Sequence, residues 1–231
     1  RGYQCQGIAY TYTEPTVFLE YALDTMTEAE TELYNVFVSN GYMTKETVKK
    51  IGPHLDAINV DIKGDVNFYR EHCQIKDPEP IYEAMKELKK HDVWIEVTNL
   101  IIPGENDSNY HIEKTVDWVR ENLGRETPIH FSRFQPHLEM KRTPPTPVDT
   151  LERAVDVAYK KGMFYAYAGN VPGHEKESTF CPGCGRVVIK RKGFEITEFK
   201  LDRNLKCPHC GREVHIKGRN WIPDNLFKDG R

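Results

Sequence analysis

Four of the six cysteines stand in two matching spacings, Cys181-Pro-Gly-Cys184-Gly and Cys207-Pro-His-Cys210-Gly, with 22 residues between them. Two such knuckles bring four thiolates to one tetrahedron. That is the ligand set of structural zinc, and it leaves no open coordination position for catalysis. The same four thiolates also hold iron, so zinc is expected, with a rubredoxin-like iron centre as the alternative. Paired CxxC motifs suit a metal in a reducing compartment better than disulfides, and the cytoplasm is the expected location. Cys5 and Cys73 stand alone and read as surface or packing residues.

A second group of candidates lies at the ends of apolar runs. Ile8, Ala9, Tyr10 and Tyr12 form the body of a strand that runs into Thr13-Glu14-Pro15. The proline donates no ladder hydrogen bond and suits a helix's first position. Glu14 is therefore expected at the C-terminal mouth of a strand, where α/β proteins place their chemistry. The run AINVDIKG puts Asn59, Asp61 and Lys63 on one face and Ile58, Val60 and Ile62 on the other. Burying an acid and a lysine is costly unless they pair or bind something. Ligand binding is the preferred reading, and a structural salt bridge is the alternative. Glu96 and Thr98 repeat the pattern in VWIEVTNLIIPGEND, and Asn40 precedes the turn-forming Gly41. Asn106 to Ser108 read as capping residues. In PIHFSRFQP, His130 and Ser132 share one face, Arg133 and Gln135 the other, and either face could point inward.

Positioning these residues requires alternating elements. Strand-like runs start near Ile8, Asn35, Ala57, Val93, Pro128 and Phe164. Helical patterns fall between them, at roughly Thr16–Leu33, Lys45–Ile51, Glu79–His91, His111–Leu123 and Asp149–Lys161. Such alternation means right-handed βαβ units and a parallel sheet. The spacing is close to the ~30 residues per unit of a (β/α)8 barrel. A partial (β/α) barrel of six units is expected in preference to an open doubly wound sheet. No glycine-rich phosphate or dinucleotide motif follows any strand. Beyond Gly169 the pattern becomes short strands and turns. The expected division is a barrel over residues 1–176 and a small β domain over 177–231. There VVIKRKGFEITEFKL forms a hairpin between the knuckles and completes a zinc ribbon.

The pieces IAYTYTEPT, VFVSNGYMT, INVDIKG, EVTNLIIPGENDS, IHFSRFQP, GNVPGHE and CPGCG, in this order, resemble the radical SAM enzymes of the pyruvate formate-lyase activating-enzyme type. More narrowly, they resemble the radical SAM member of the AmmeMemoRadiSam system. The resemblance implies S-adenosylmethionine (SAM) bound across the strand ends and cleaved reductively by a [4Fe-4S] cluster to a 5′-deoxyadenosyl radical. By that resemblance Thr13 and Glu14 meet the methionyl amino group, which a carboxylate holds through charge-assisted bonds. Asn40, Asp61, Lys63, Thr98 and Glu96 match further SAM contacts. Gln135 stands where the activating enzymes carry a histidine. The family's cluster loop, C-x3-C-x2-C, has no counterpart in this sequence. The first strand and that loop are expected upstream of Arg1, and residues 1–231 alone are expected to be inactive.

The 231 residues carry a formal charge of −3, against a general nucleic-acid or membrane footprint, and no apolar run is long enough to span a bilayer. The substrate is open, with a protein among the candidates, and the family association suggests a Memo-like partner. The competing reading is a non-catalytic barrel whose ribbon docks protein or RNA. Lys190, Arg191, Lys192, Lys200, Arg203 and Lys206 give it a basic face.

Overall fold

The computed structural model describes residues 5–29, 33–218, 222, 226 and 227. Six parallel strands lie in one sheet in chain order: β1 (Gly7–Tyr10), β2 (Tyr34–Ser39), β3 (Ala57–Asp61), β4 (Trp94–Ile101), β5 (Ile129–Arg133) and β6 (Ala166–Gly169). This is the arrangement of a partial barrel, as the alternating pattern requires. The intervening helices are α1 (Leu19–Ala29), α2 (Lys45–Ile51), α3 (Val66–His72), α4 (Glu79–Lys90), α5 (Asn109–Asn122) and α6 (Val148–Lys160). β7 (Thr179–Phe180), β8 (Val187–Lys192) and β9 (Glu195–Phe199) form a separate antiparallel sheet.

Two compact units share the chain. One runs to Asn99 and takes in Glu121–Leu123, and the other comprises Leu100–Arg120 and the residues from Gly124 onward. The expected boundary at 176/177 falls inside the second unit. Each is built on the spacing its helices display. In the first, α4 buries Ile81, Ala84, Met85 and Leu88, one stripe at helical period. In the second, α6 buries Leu151, Ala154, Val155 and Ala158 and packs against β5 and β6. The strands obey period two. Ile58 and Val60 in β3, and Ile95 and Val97 in β4, are buried, while the residues between them are half-exposed.

The expected helix at Thr16–Leu33 is a short 3-10 turn, Pro15–Phe18, followed by α1, with 30–32 outside the described residues. Glu14 caps that turn by accepting from the Thr16 amide. The seven-residue α3 carries too little periodicity to stand out in the sequence. It is set by Asp65, whose carboxylate accepts from the amides of Asn67 and Phe68 at 3.0 Å. No helix among the described residues is long and apolar enough to cross a membrane.

Candidate functional site

Glu14 leaves the end of β1 and ties it to the end of β2. Its Oε1 accepts from Ser39 Oγ at 2.7 Å, and its Oε2 accepts from the Asn40 amide at 2.8 Å. Ser39 Oγ in turn accepts from the buried Gly41 amide at 2.9 Å, so a relay runs from the turn through the hydroxyl to the carboxylate. Gly41 has φ +73°, and a Cβ there would lie 2.6 Å from Val60 Cγ1, so the turn both needs the left-handed region and has no room for a side chain. Asn40 Oδ1 accepts from the Tyr42 amide at 2.8 Å, which fixes the carboxamide at the strand end. Thr13 is exposed and follows Tyr12, a non-glycine residue at φ +66°.

At the end of β3, Lys63 Nζ pairs with Asp61 Oδ2 at 2.8 Å, both side chains roughly a third exposed. Buried Tyr69 of α3 braces the pair's backbone: its hydroxyl accepts from the Lys63 amide at 3.1 Å and donates to the Asp61 carbonyl at 3.4 Å. Burial raises the Tyr69 phenol well above its ordinary value, so it stays neutral and keeps both roles. The register places Thr98 opposite Asp61 and Glu96 opposite Asn59. Thr98 Oγ1 donates to Asn59 Oδ1 at 2.8 Å. Glu96 lies a rung further from the strand ends, where it accepts from the Trp94 indole at 3.1 Å.

Pairing along the sequence thus joins Glu14 with Asn40, and Asp61 with Lys63. Asn59 and Trp94 are their neighbours' partners on the same face. Ser39 and Tyr69 are the residues that motif reading missed. A serine immediately before Asn-Gly at a strand end is the signal for the first; nothing local marks the second. These side chains offer SAM what an amino acid needs: a carboxylate and carboxamide held at the strand ends, and an acid–base pair with Asp61 Oδ1 left over. They fit the group by donor chemistry.

The cluster is a different case. Cys5 is exposed and Cys73 half-buried, and neither has a second thiol within reach among the described residues. These residues do not fit a [4Fe-4S] cluster.

Cys181, Cys184, Cys207 and Cys210 do converge, with all four sulfurs within 4.8 Å of one another. Cys181 and Cys210 stand 3.5 Å apart, and Cys184 and Cys207 3.7 Å. A tetrahedron with metal–sulfur bonds of about 2.3 Å has edges of about 3.8 Å, whereas a disulfide needs sulfurs about 2.05 Å apart. The two knuckles are built alike. Each opens on a cysteine amide bonded to an arginine carbonyl (Arg186, Arg212) at 2.8 Å, and each closes with a glycine amide (Gly185, Gly211) bonded back to that cysteine's carbonyl at 2.9 Å. Without metal, burial pushes the Cys181 thiol up to about 12. At Cys207 burial acts the same way, but the amides of His209 and Cys210 together with the Cys181 and Cys184 thiols outweigh it and bring the thiol down to about 7. Buried Cys181 and Cys207 belong to one hydrophobic cluster with Val188, Phe199, Leu205 and Tyr165, the residue just before β6. Tyr165 also accepts from the His215 amide at 2.8 Å. His215 and His209 are not ligands; His209 Nδ1 faces Arg186 at 2.8 Å.

Structure also decides the inward face of β5. Ile129 and Phe131 are fully buried, and His130 and Ser132 lie half-buried on the opposite face. Of the three residues read as caps, Ser108 accepts from an amide of α5, whereas Asn106 and Asp107 brace the loop after β4. Asn106 accepts from the Ile102 amide, Asp107 from Gly104, and Ser108 from His111.

A model of the radical SAM superfamily matches residues 1–119, just over half of the chain. The chain is 46% identical over 216 residues to uncharacterized protein MJ0808 of Methanocaldococcus jannaschii, covering 93% of this chain and 64% of that protein. Among solved structures, a domain of pyruvate-formate lyase-activating enzyme from Bacteroides vulgatus aligns with TM-score 0.60 at 15% identity, over 71% of this chain and 99% of that one. A radical SAM methyltransferase from Sphaerobacter thermophilus aligns with TM-score 0.56 at 13% identity, over 72% and 51%. SuiB of Streptococcus suis, bound to S-adenosylmethionine, aligns with TM-score 0.56 at 10% identity, over 71% and 39%. At these identities the likeness is one of fold. By the family model, the chain belongs to the radical SAM superfamily.

Proposed function

We propose that this chain is the SAM-binding core of a radical SAM enzyme of the pyruvate formate-lyase activating-enzyme type, close to the AmmeMemoRadiSam member. The observation that carries this reading is the Glu14 carboxylate, bonded to Ser39 and to the Asn40 amide where the motif match places the SAM amino acid. Thr13, Glu14, Asn40, Asp61, Lys63 and Thr98 then hold and orient SAM, with Glu96 supporting them from the rung below. Bound SAM supplies the 5′-deoxyadenosyl group for radical chemistry on a protein or small molecule. In this reading the thiolates of the [4Fe-4S] cluster lie outside residues 1–231; the lack of a C-x3-C-x2-C within them and the greater length of the matched relative support it. Exposed Tyr12, Val17 and Tyr21 around the end of β1 agree with further chain packing there. The four-cysteine site carries zinc, with a structural role. A Memo-like protein is the proposed partner, and a reducing cytoplasm the proposed location.

The test is iron, acid-labile sulfide and zinc analysis after anaerobic reconstitution, on residues 1–231 and on the full-length protein, with SAM binding by equilibrium dialysis. The expected result is one zinc in both, four irons and sulfides only in the longer chain, and SAM binding weakened by Glu14→Gln. A longer chain without iron removes the catalytic reading and leaves the docking-module alternative.

A further inference from the structure

We propose that the half-buried face of β5 and β6, together with Arg191 of the ribbon, forms a binding site for an oxyanion, the carboxylate or phosphate of a small molecule. His130 and Ser132 of β5 pair in register with Tyr167 and Gly169 of β6. The His130 and Tyr167 rings stack at 5.0 Å with an interplanar angle of 19°. Ser132 Oγ leans over Gly169: a Cβ built on that glycine would lie 2.7 Å from it. The hydroxyl has no hydrogen-bond partner among the described residues, although it is half-buried.

Arg191 comes to this face from β8. Its guanidinium lies 5.9 Å from the Tyr167 ring, and one of its nitrogens donates to Thr179 Oγ1 at 2.6 Å. Thr179 also meets the Tyr167 hydroxyl at 3.1 Å. The β8–β9 pairing shifts register between Lys190 and Arg191, and such bulges re-aim a side chain. Arg191 is half-buried, between exposed Lys190 and Lys192. It has no ion pair among the described residues, whereas Lys190 and Lys200 on the same hairpin share Glu198. The nearby acid Glu177 is already engaged, its Oε2 accepting from the amides of Gly173 and Gly193.

A guanidinium presents five donors in a fixed fork, and Arg191 spends one of them on protein. A cation without an acid partner among the described residues and an imidazole both meet one aromatic ring, and a spare hydroxyl stands two residues along the same strand face; together they have the complement of an oxyanion. The site rests only on residues of the second unit and is independent of the SAM reading.

The experiment uses the zinc-loaded chain labelled with 15N-arginine. Acetate, succinate and inorganic phosphate are titrated separately while the Nε–Hε resonances are followed. The expected result is a saturable shift of Arg191, absent from Arg125 and Arg203, with the preferred anion naming the source. Ser132→Ala should weaken it roughly tenfold, the loss of one hydrogen bond to a charged group. Arg191→Gln should abolish protection of the protein by that anion in thermal unfolding, and Arg191→Lys should retain part of it. Shifts spread over all arginines in proportion to ionic strength overturn the site, as does saturation unchanged in Ser132→Ala and in both Arg191 variants.

Discussion

Replacing Glu14 with glutamine tests whether the carboxylate, and not merely a polar side chain, fastens the end of β1 to β2. Glutamine keeps the shape but turns one acceptor into a donor. Whichever way the amide faces, its nitrogen confronts either the Ser39 hydroxyl at 2.7 Å or the Asn40 amide at 2.8 Å. Ser39 can rotate to accept and, with two lone pairs, still receive the Gly41 amide, but its own O–H then loses the carboxylate it donates to; the Asn40 N–H cannot adapt at all. Hydrogen bonds to a charged group contribute about 1.5–3 kcal/mol each. Glu14 is half-exposed, so solvent recovers part of that, and a net loss of about 2–3 kcal/mol is expected. The assay is urea unfolding of the zinc-loaded protein, with wild type, Glu14→Gln, Ser39→Ala and the double variant compared as a cycle. The coupling between the two residues should be about 1 kcal/mol or more, since they share one relay. A Glu14→Gln protein within 0.5 kcal/mol of wild type, or a cycle with zero coupling, refutes the reasoning.

Thr146 is fully buried, its hydroxyl donating to the Ile101 carbonyl at 2.6 Å and accepting from the Phe134 amide at 2.9 Å. Thr146→Val strands both groups and should cost about 2–4 kcal/mol in denaturant unfolding, while Thr146→Ser costs about 1. Chelating the metal, or replacing Cys207 with serine, should open the cluster that contains Tyr165. Hydrogen exchange should then rise at β6 as well as in β7–β9, and exchange confined to β7–β9 would contradict the shared core. Burial raises the phenols of Tyr69, Tyr82 and Tyr165, the last two to about 12, above an unfolded value near 10. The folded state therefore binds the protons more tightly, and this stability is complete below about pH 10 and lost as the pH rises toward 12. Tyrosinate absorbance from these three should appear together with unfolding, not before it.

The repeating architecture was legible because buried strands and helix stripes carry their period in the side chains: Ile58 and Val60 against Asn59, or Ile81, Ala84, Met85 and Leu88 in α4. The four cysteines were legible because metal-ligand spacing is local. Residues that act across the fold were not. Ser39 matters through Glu14, 25 positions away, and Tyr69 through the backbone of Asp61 and Lys63. Period two offered two faces for β5, and only the full burial of Ile129 and Phe131 separates them. The Asp61–Lys63 contact realises the salt bridge that stood as the alternative reading of that strand, and it leaves ligand binding open through the acid's second oxygen.

Spatial order and chain order coincide in the six-stranded sheet. Each strand after the first meets a neighbour that has already been synthesised, across a connection of one helix or two, so loop closure stays short throughout. Assembly can therefore proceed by accretion at one growing edge, without waiting for a distant segment. The last strand of that series adjoins Tyr165, which shares its core with the metal-binding thiols. Ordering of the cysteine site and ordering of that last strand are thereby coupled through one core.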